Sequence, residues 1–139
     1  MSVERTLSII KPDAVSAGHA GAILALIEAA GFKILALRMT RLTETQARGF
    51  YGVHKGKHFY QGLVEFMTQG PIIVMALERK NAIAKLREVM GPTDPKKADE
   101  GTIRRRFATD VKHNAIHGSD SPATAKTELQ FFFNNEELL

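Results

Sequence analysis

Apolar and polar positions along the chain fall into two alternating rhythms. Short runs of strand-forming residues are separated by longer segments whose apolar residues return every three or four positions. "TLSII" (Thr6–Ile10) is the first run, stopped at Lys11-Pro12, because proline brings no amide to a ladder. "AGAILALIEAAGF" places Ile23, Leu26 and Ile27 at helical spacing, with Gly31 where a helix-ending glycine belongs. "KILALRMTRL" sets Ile34 and Ala36 against Leu35 and Leu37, an alternation that suits a strand partly covered on both faces. Thr43 is the next N-cap, and Thr43-x-x-Gln46 matches a capping box opening a helix through "ETQARGFYGVH". A short helical piece follows near Tyr60–Met67, and "PIIVMALE" (Pro71–Glu78) predicts a third, buried strand. "NAIAKLREVMG" starts at the N-cap residue Asn81, ends at Gly91, and carries Ile83, Leu86 and Met90 on one face. Beyond a loop over 91–113 that is poor in apolar residues, "NAIH" reads as a fourth strand. Ser121-Pro122 then opens a last helix whose inner face holds Ala125, Leu129 and Phe132.

The order β-α-β-α-β-α-β-α permits an open parallel sheet, but four short strands fit a split β-α-β plan better. The expected fold is α+β and ferredoxin-like: a four-stranded antiparallel sheet with helices packed on it, on one face. Strand order does not follow from periodicity.

Composition narrows the function. The chain's 139 residues suit a single domain, taken as 1–139. It has no cysteine, which excludes disulfides, thiolate catalysis and Cys-based zinc sites. No run is long and apolar enough for a membrane span, and Met1–Lys11 has no secretory core, so the expected place is the cytoplasm, away from membranes. A formal charge of +4 and a pI near 9.5 favour anionic partners: nucleic acid, a membrane surface or phosphorylated small molecules.

Candidate chemistry starts with histidine. His54 and His58, and again His113 and His117, are four apart, a spacing that clamps a metal on a helix. On a strand, however, that spacing spans about 13 Å, and neither pair has a third ligand at matching spacing. Lys11 closes the first strand; Arg87 precedes the long loop, and Thr93 and Arg104 lie in it. A planar guanidinium fork beside a point-charge ammonium suits a polyphosphate, although each alone reads as a solvated cation. Walker-type glycine spacing is absent. Tyr51 and Phe59 sit in a polar segment, where Phe59 is either a base-stacking ring or a core aromatic. Glu128 is either a surface glutamate or, if the last helix packs beside His117, a carboxylate that holds one imidazole nitrogen and leaves the other nucleophilic. "RGFYGV" (Arg48–Val53) echoes an RNA-binding signature, but falls in a capped helical segment and not on a central strand.

These parts come together in "ERTLSIIKPDAV", "FMTQGPIIVMALE", "GPTDP" and above all "NAIHGSDS". Through them the chain resembles the nucleoside diphosphate kinases over essentially its whole length. The resemblance implies a ping-pong reaction in which His117, beside a glycine turn, takes the γ-phosphate of a nucleoside triphosphate and passes it to a diphosphate. It implies that Lys11, Arg87, Thr93, Arg104 and Asn114 hold phosphates and ribose, with Lys11 and Tyr51 near the transferring group. Phe59 would stack the base, Glu128 would partner His117, and Ser119 would join the same network. The cofactor implied is Mg²⁺ carried on the nucleotide phosphates, with no direct protein ligands. The partners implied are nucleoside di- and triphosphates and further copies of the chain, as tetramers or hexamers built from dimers, with no requirement for nucleic acid. Two departures stand out: Arg105-Arg106 after the loop arginine, and His58 where proline is common. Neither falls on a matched functional position, so Arg105 and Arg106 are expected to serve loop or subunit contacts.

Overall fold

The computed structural model describes residues 3–138. Strand β1 (Val3–Ile10) runs into a short helix α1 (Pro12–Ser16), followed by α2 (Ala20–Ala29) and β2 (Lys33–Thr40). Helices α3 (Glu44–Phe50) and α4 (Tyr60–Met67) lead to β3 (Ile72–Lys80) and α5 (Ala82–Met90). The 91–113 segment is not bare loop, because Thr102 caps a short helix α6 (Ile103–Phe107) within it and Ile103 is fully buried. Strand β4 (Ile116–Gly118) and helix α7 (Pro122–Phe132) complete the core. None of the helices formed by the described residues is long and apolar enough to cross a membrane.

The sheet order is β2-β3-β1-β4 with every neighbouring pair antiparallel, which is the expected ferredoxin-like plan. The helices, however, cover both faces and not one. Along β3, Ile72, Val74 and Ala76 join one core with residues of α3, α4 and α7, while Ile73, Met75 and Leu77 join another with residues of α2 and α5. Strict alternation on a central strand that is apolar at both parities requires two covers. The alternation read in β2 also breaks: a bulge at Leu35 separates the Ile34↔Leu77 and Ala36↔Ala76 pairs. Ile34 therefore packs with the α2/α5 core and Ala36 with the other.

Local signals largely hold. The Thr43–Gln46 capping box forms in both directions, at 3.1 and 2.9 Å. Ser121 caps α7 in the same reciprocal way with Thr124, and Ala125, Leu129 and Phe132 are buried. Asn81 departs from expectation: it stands at the N-cap in a left-handed conformation (φ 53°), and its side chain does not cap. The Glu4 carboxylate instead accepts from the Ile83 amide at 3.3 Å, a negative charge placed at the helix's positive end. "NAIH" also forms less strand than expected, since β4 begins only at Ile116 and Ala115 is twisted to φ 72°.

Candidate active site

Strand pairing positions the chemistry. Ile9 faces His117 across the β1–β4 ladder, and directly opposed residues share a sheet face, so the imidazole projects toward α3 and α7. Gly118 is part of β4 and not of a turn. A side-chain carbon there would meet Met90 Sδ at 2.8 Å and Leu86 Cδ2 at 2.9 Å; the residue is glycine because α5 presses directly onto this strand.

On the other face, Glu128 reaches back from α7. His117 Nε2 lies 2.9 Å from Glu128 Oε1, and Ser119 Oγ donates to the same oxygen at 2.7 Å. A carboxylate only accepts, so the imidazole hydrogen resides on Nε2 and the Nδ1 lone pair is left open. Ser119 is held in turn by β1: its hydroxyl accepts from the Leu7 amide at 3.3 Å, and its own amide donates to the Leu7 carbonyl at 3.1 Å. Both His117 and Glu128 are one-fifth exposed, so the pair is partly shielded but not sealed from the surface. The Phe50 ring meets the imidazole edge-on at 5.6 Å.

Tyr51 is buried, and its hydroxyl has no hydrogen-bond partner. Burial pushes its phenol well above the usual range, with the charge of Glu128 adding to the effect, so Tyr51 is a neutral donor at physiological pH. Lys11, just beyond β1, is buried as well; desolvation first and the charge of Arg104 second lower its ammonium to about 8, against the pull of Asp13. Arg104 is only 7% exposed. Its fork donates to the carbonyls of Gly91 (3.0 Å), Asn114 (3.4 Å) and Ile116 (2.8 Å). Burial, with Arg87 adding repulsion and Asp120 opposing it, lowers it to about 10, which leaves it protonated at neutral pH. Arg104 thus ties the loop to β4, and only the remainder of its fork is available to an anion.

The other expected residues form a rim. Arg87 pairs with Asp120 at 2.7 Å, both largely exposed. Thr93 is exposed after α5. Asn114 donates to the Val111 carbonyl at 3.0 Å while its side-chain oxygen is buried without a partner. Phe59 is 42% exposed, edged by His54 at 5.1 Å and His58 at 5.5 Å. Within the four-residue histidine spacings, His54 Nδ1 faces Lys57 Nζ at 3.2 Å and His113 Nδ1 pairs with Asp110 at 3.0 Å. Among the described residues no three metal-ligating side chains converge.

A buried cation, a neutral phenol and an imidazole with one nitrogen held make a set suited to handling phosphoryl groups. The family model described as nucleoside diphosphate kinase matches residues 4–138 of this chain. The chain belongs to the nucleoside diphosphate kinase family. Membership makes it an enzyme, a kinase. Nucleoside diphosphate kinase 2 of Protochlamydia amoebophila (strain UWE25) is 55% identical over 138 residues, spanning 99% of this chain and 96% of that protein. The nucleoside diphosphate kinase of Dechloromonas aromatica (strain RCB) is 57% identical over 133 residues, covering 96% and 94%. Among solved structures, the Aquifex aeolicus nucleoside diphosphate kinase superposes with a TM-score of 0.97 at 46% identity, covering 99% of this chain and 100% of that one. A Halobacterium salinarum nucleoside diphosphate kinase in complex with CDP gives 0.95 at 38% identity, covering 99% and 92%.

Three residues in contact with the candidate site escaped the sequence reading. Phe50 gave only the signal of an apolar residue in a capped helix. Asp120 stands inside "HGSDS" but shows its pairing with Arg87 only in space. Asp13 follows Lys11-Pro12 and reads as an acidic residue in a helix's first turn; its bond to the Ala115 amide, at 3.1 Å, carries no local signature.

Proposed function

We propose that this kinase moves the γ-phosphate of a nucleoside triphosphate to a nucleoside diphosphate in two half-reactions, with His117 as carrier. In the first, the Nδ1 lone pair attacks the γ-phosphorus. An N–P bond forms, the bond from phosphorus to the bridging oxygen breaks, and the nucleoside diphosphate leaves with that electron pair. A second diphosphate then attacks the phosphohistidine and reverses the exchange. The single observation carrying this reading is the His117–Glu128 bond, which occupies Nε2 and stabilises positive charge on the ring as Nδ1 becomes bonded.

Positioning and charge neutralisation do most of the work in phosphoryl transfer. Lys11, Arg87 and the free part of the Arg104 fork supply positive charge, the Tyr51 hydroxyl a neutral donor, Thr93 and Asn114 polar contacts to phosphate and ribose, and Phe59 a stacking face. A donor set made of cations and hydroxyls fits phosphates that bring Mg²⁺ with them as part of the substrate; the ion neutralises phosphate charge. We further take the enzyme to act in the cytoplasm as tetramers or hexamers built from dimers. Support for assembly comes from β2, an edge strand with Leu37 and Met39 exposed at 46% and 58%, and sedimentation at micromolar concentration is expected to show no 15.3 kDa monomer.

The deciding experiment is incubation with γ-labelled ATP. Acid-labile, base-stable label on the protein is expected, absent in His117→Ala; label retained by that variant at the wild-type rate would sink the reading.

A further inference from the structure

Ala115, two residues before His117, is one of only two non-glycine residues with positive φ among those described. The Ile116 amide donates to the Asn114 carbonyl across it at 2.9 Å. That i to i+2 bond with φ at 72° makes a γ-turn of the strained, positive-φ kind. Because Ala115 carries a Cβ, the conformation persists only where its surroundings over-determine it.

The bonds that hold it can be named. The Lys11 amide donates to the Ala115 carbonyl at 2.9 Å. Arg104 donates to the carbonyls on either side, those of Asn114 and Ile116. The Ala115 amide itself donates to Asp13 Oδ2 at 3.1 Å, across 102 residues of sequence. Asp13 is the one side chain here that the phosphoryl-transfer scheme does not use. It sits on α1, pinned by the buried Pro12 and Ala14, and its other oxygen is buried with no partner. The carboxylate therefore has the Ala115 amide as its main commitment, and a bond between a carboxylate and a backbone amide is a strong one.

We propose that Asp13 is a positioning residue: by holding the Ala115 amide it fixes the γ-turn that leads into β4, and so places the His117 ring relative to Lys11. This rests on the reading of His117 as phosphoryl carrier. A second role would be purely electrostatic, through the charge Asp13 presents to Lys11, and the two separate by experiment.

Asp13→Ala is expected to slow phosphorylation of His117 by about 10- to 100-fold while KM moves less than about threefold. Asp13→Asn, which keeps an oxygen for the Ala115 amide, retains most of the rate. Adding Ala115→Gly to Asp13→Ala recovers at least about tenfold, because glycine adopts positive φ without the tie. In nucleotide-free protein, the ring nitrogen NMR shifts of His117 move in Asp13→Ala and return in the double variant. If Asp13→Ala fails to fold, the double variant decides: a regained fold supports the proposal, and none overturns it. Asp13→Asn as slow as Asp13→Ala, with no recovery through Ala115→Gly, would assign Asp13 to the charge of Lys11 and overturn positioning; unmoved ring shifts would do the same. A wild-type enzyme that forms no phosphohistidine would defeat the carrier reading instead, and the ring shifts would still report on Asp13.

Discussion

Glu128 Oε1 stands 2.9 Å from His117 Nε2, and the two side chains are equally shielded, each 20% exposed. A hydrogen bond in that half-wet setting is stronger than its surface counterpart, because water competes less for either partner. It sets the tautomer and the ring plane together.

Glu128→Gln keeps the shape and removes the charge, so phosphorylation of His117 should slow without stopping. Losing one oriented charged hydrogen bond costs about 1.5–3 kcal/mol, or roughly 10- to 100-fold in rate. Ser119→Ala should separate from it by also lowering the melting temperature, since the buried Leu7 amide loses its acceptor, worth about 1–3 kcal/mol. Rapid-mixing phosphorylation rates and thermal melts of both variants check this; Glu128→Gln at wild-type speed would remove the orienting role.

In its proposed role beside the transferring phosphate, Lys11 should make the reaction sensitive to alkali. With its ammonium lowered to about 8, the free enzyme loses this charge as pH rises, and kcat/KM should fall above about pH 8 with unit slope. Lys11→Arg should shift that fall to higher pH. Stability moves the other way. Between about 8 and the ordinary 10.5 the unfolded chain holds this proton and the folded chain does not, so this group's burial penalty is full below about pH 8 and is relieved as pH rises. Lys11→Met should therefore raise the melting temperature at pH 7 while abolishing transfer, and a variant that melts lower would contradict the burial argument.

Phe59 is exposed at the start of α4, so Phe59→Ala should leave stability within about 0.5 kcal/mol. It should raise KM for adenine, guanine and cytosine nucleotides by a common factor, since stacking is worth about 1–3 kcal/mol and tolerates any base. Michaelis constants measured across the nucleotides test this. An effect confined to one base would point to edge recognition, with His54 the nearest ring to do it, 5.1 Å away.

The four strands, the helices α2, α3, α4, α5 and α7, the capping box at Thr43, the Ser121-Pro122 helix start, the buried face of α7 and the "NAIHGSDS" signature were all legible in the chain itself. Each depends on residues within one or two turns of one another, and periodicity records such proximity directly. The tertiary structure alone decided the rest. Strand order, the second helical cover and the bulge at Leu35 depend on which runs pair, and pairing joins residues far apart in sequence. Gly118 looked like a turn and proved to be a strand residue crowded by Leu86 and Met90. Arg104 looked like a free phosphate clamp and proved to be tied to three backbone carbonyls. Asp13 gave no sign of the Ala115 amide it holds, because a carboxylate reads alike in sequence whether it meets water or a strained turn 102 residues away. Only the closing of β1 against β4 brings that amide within reach.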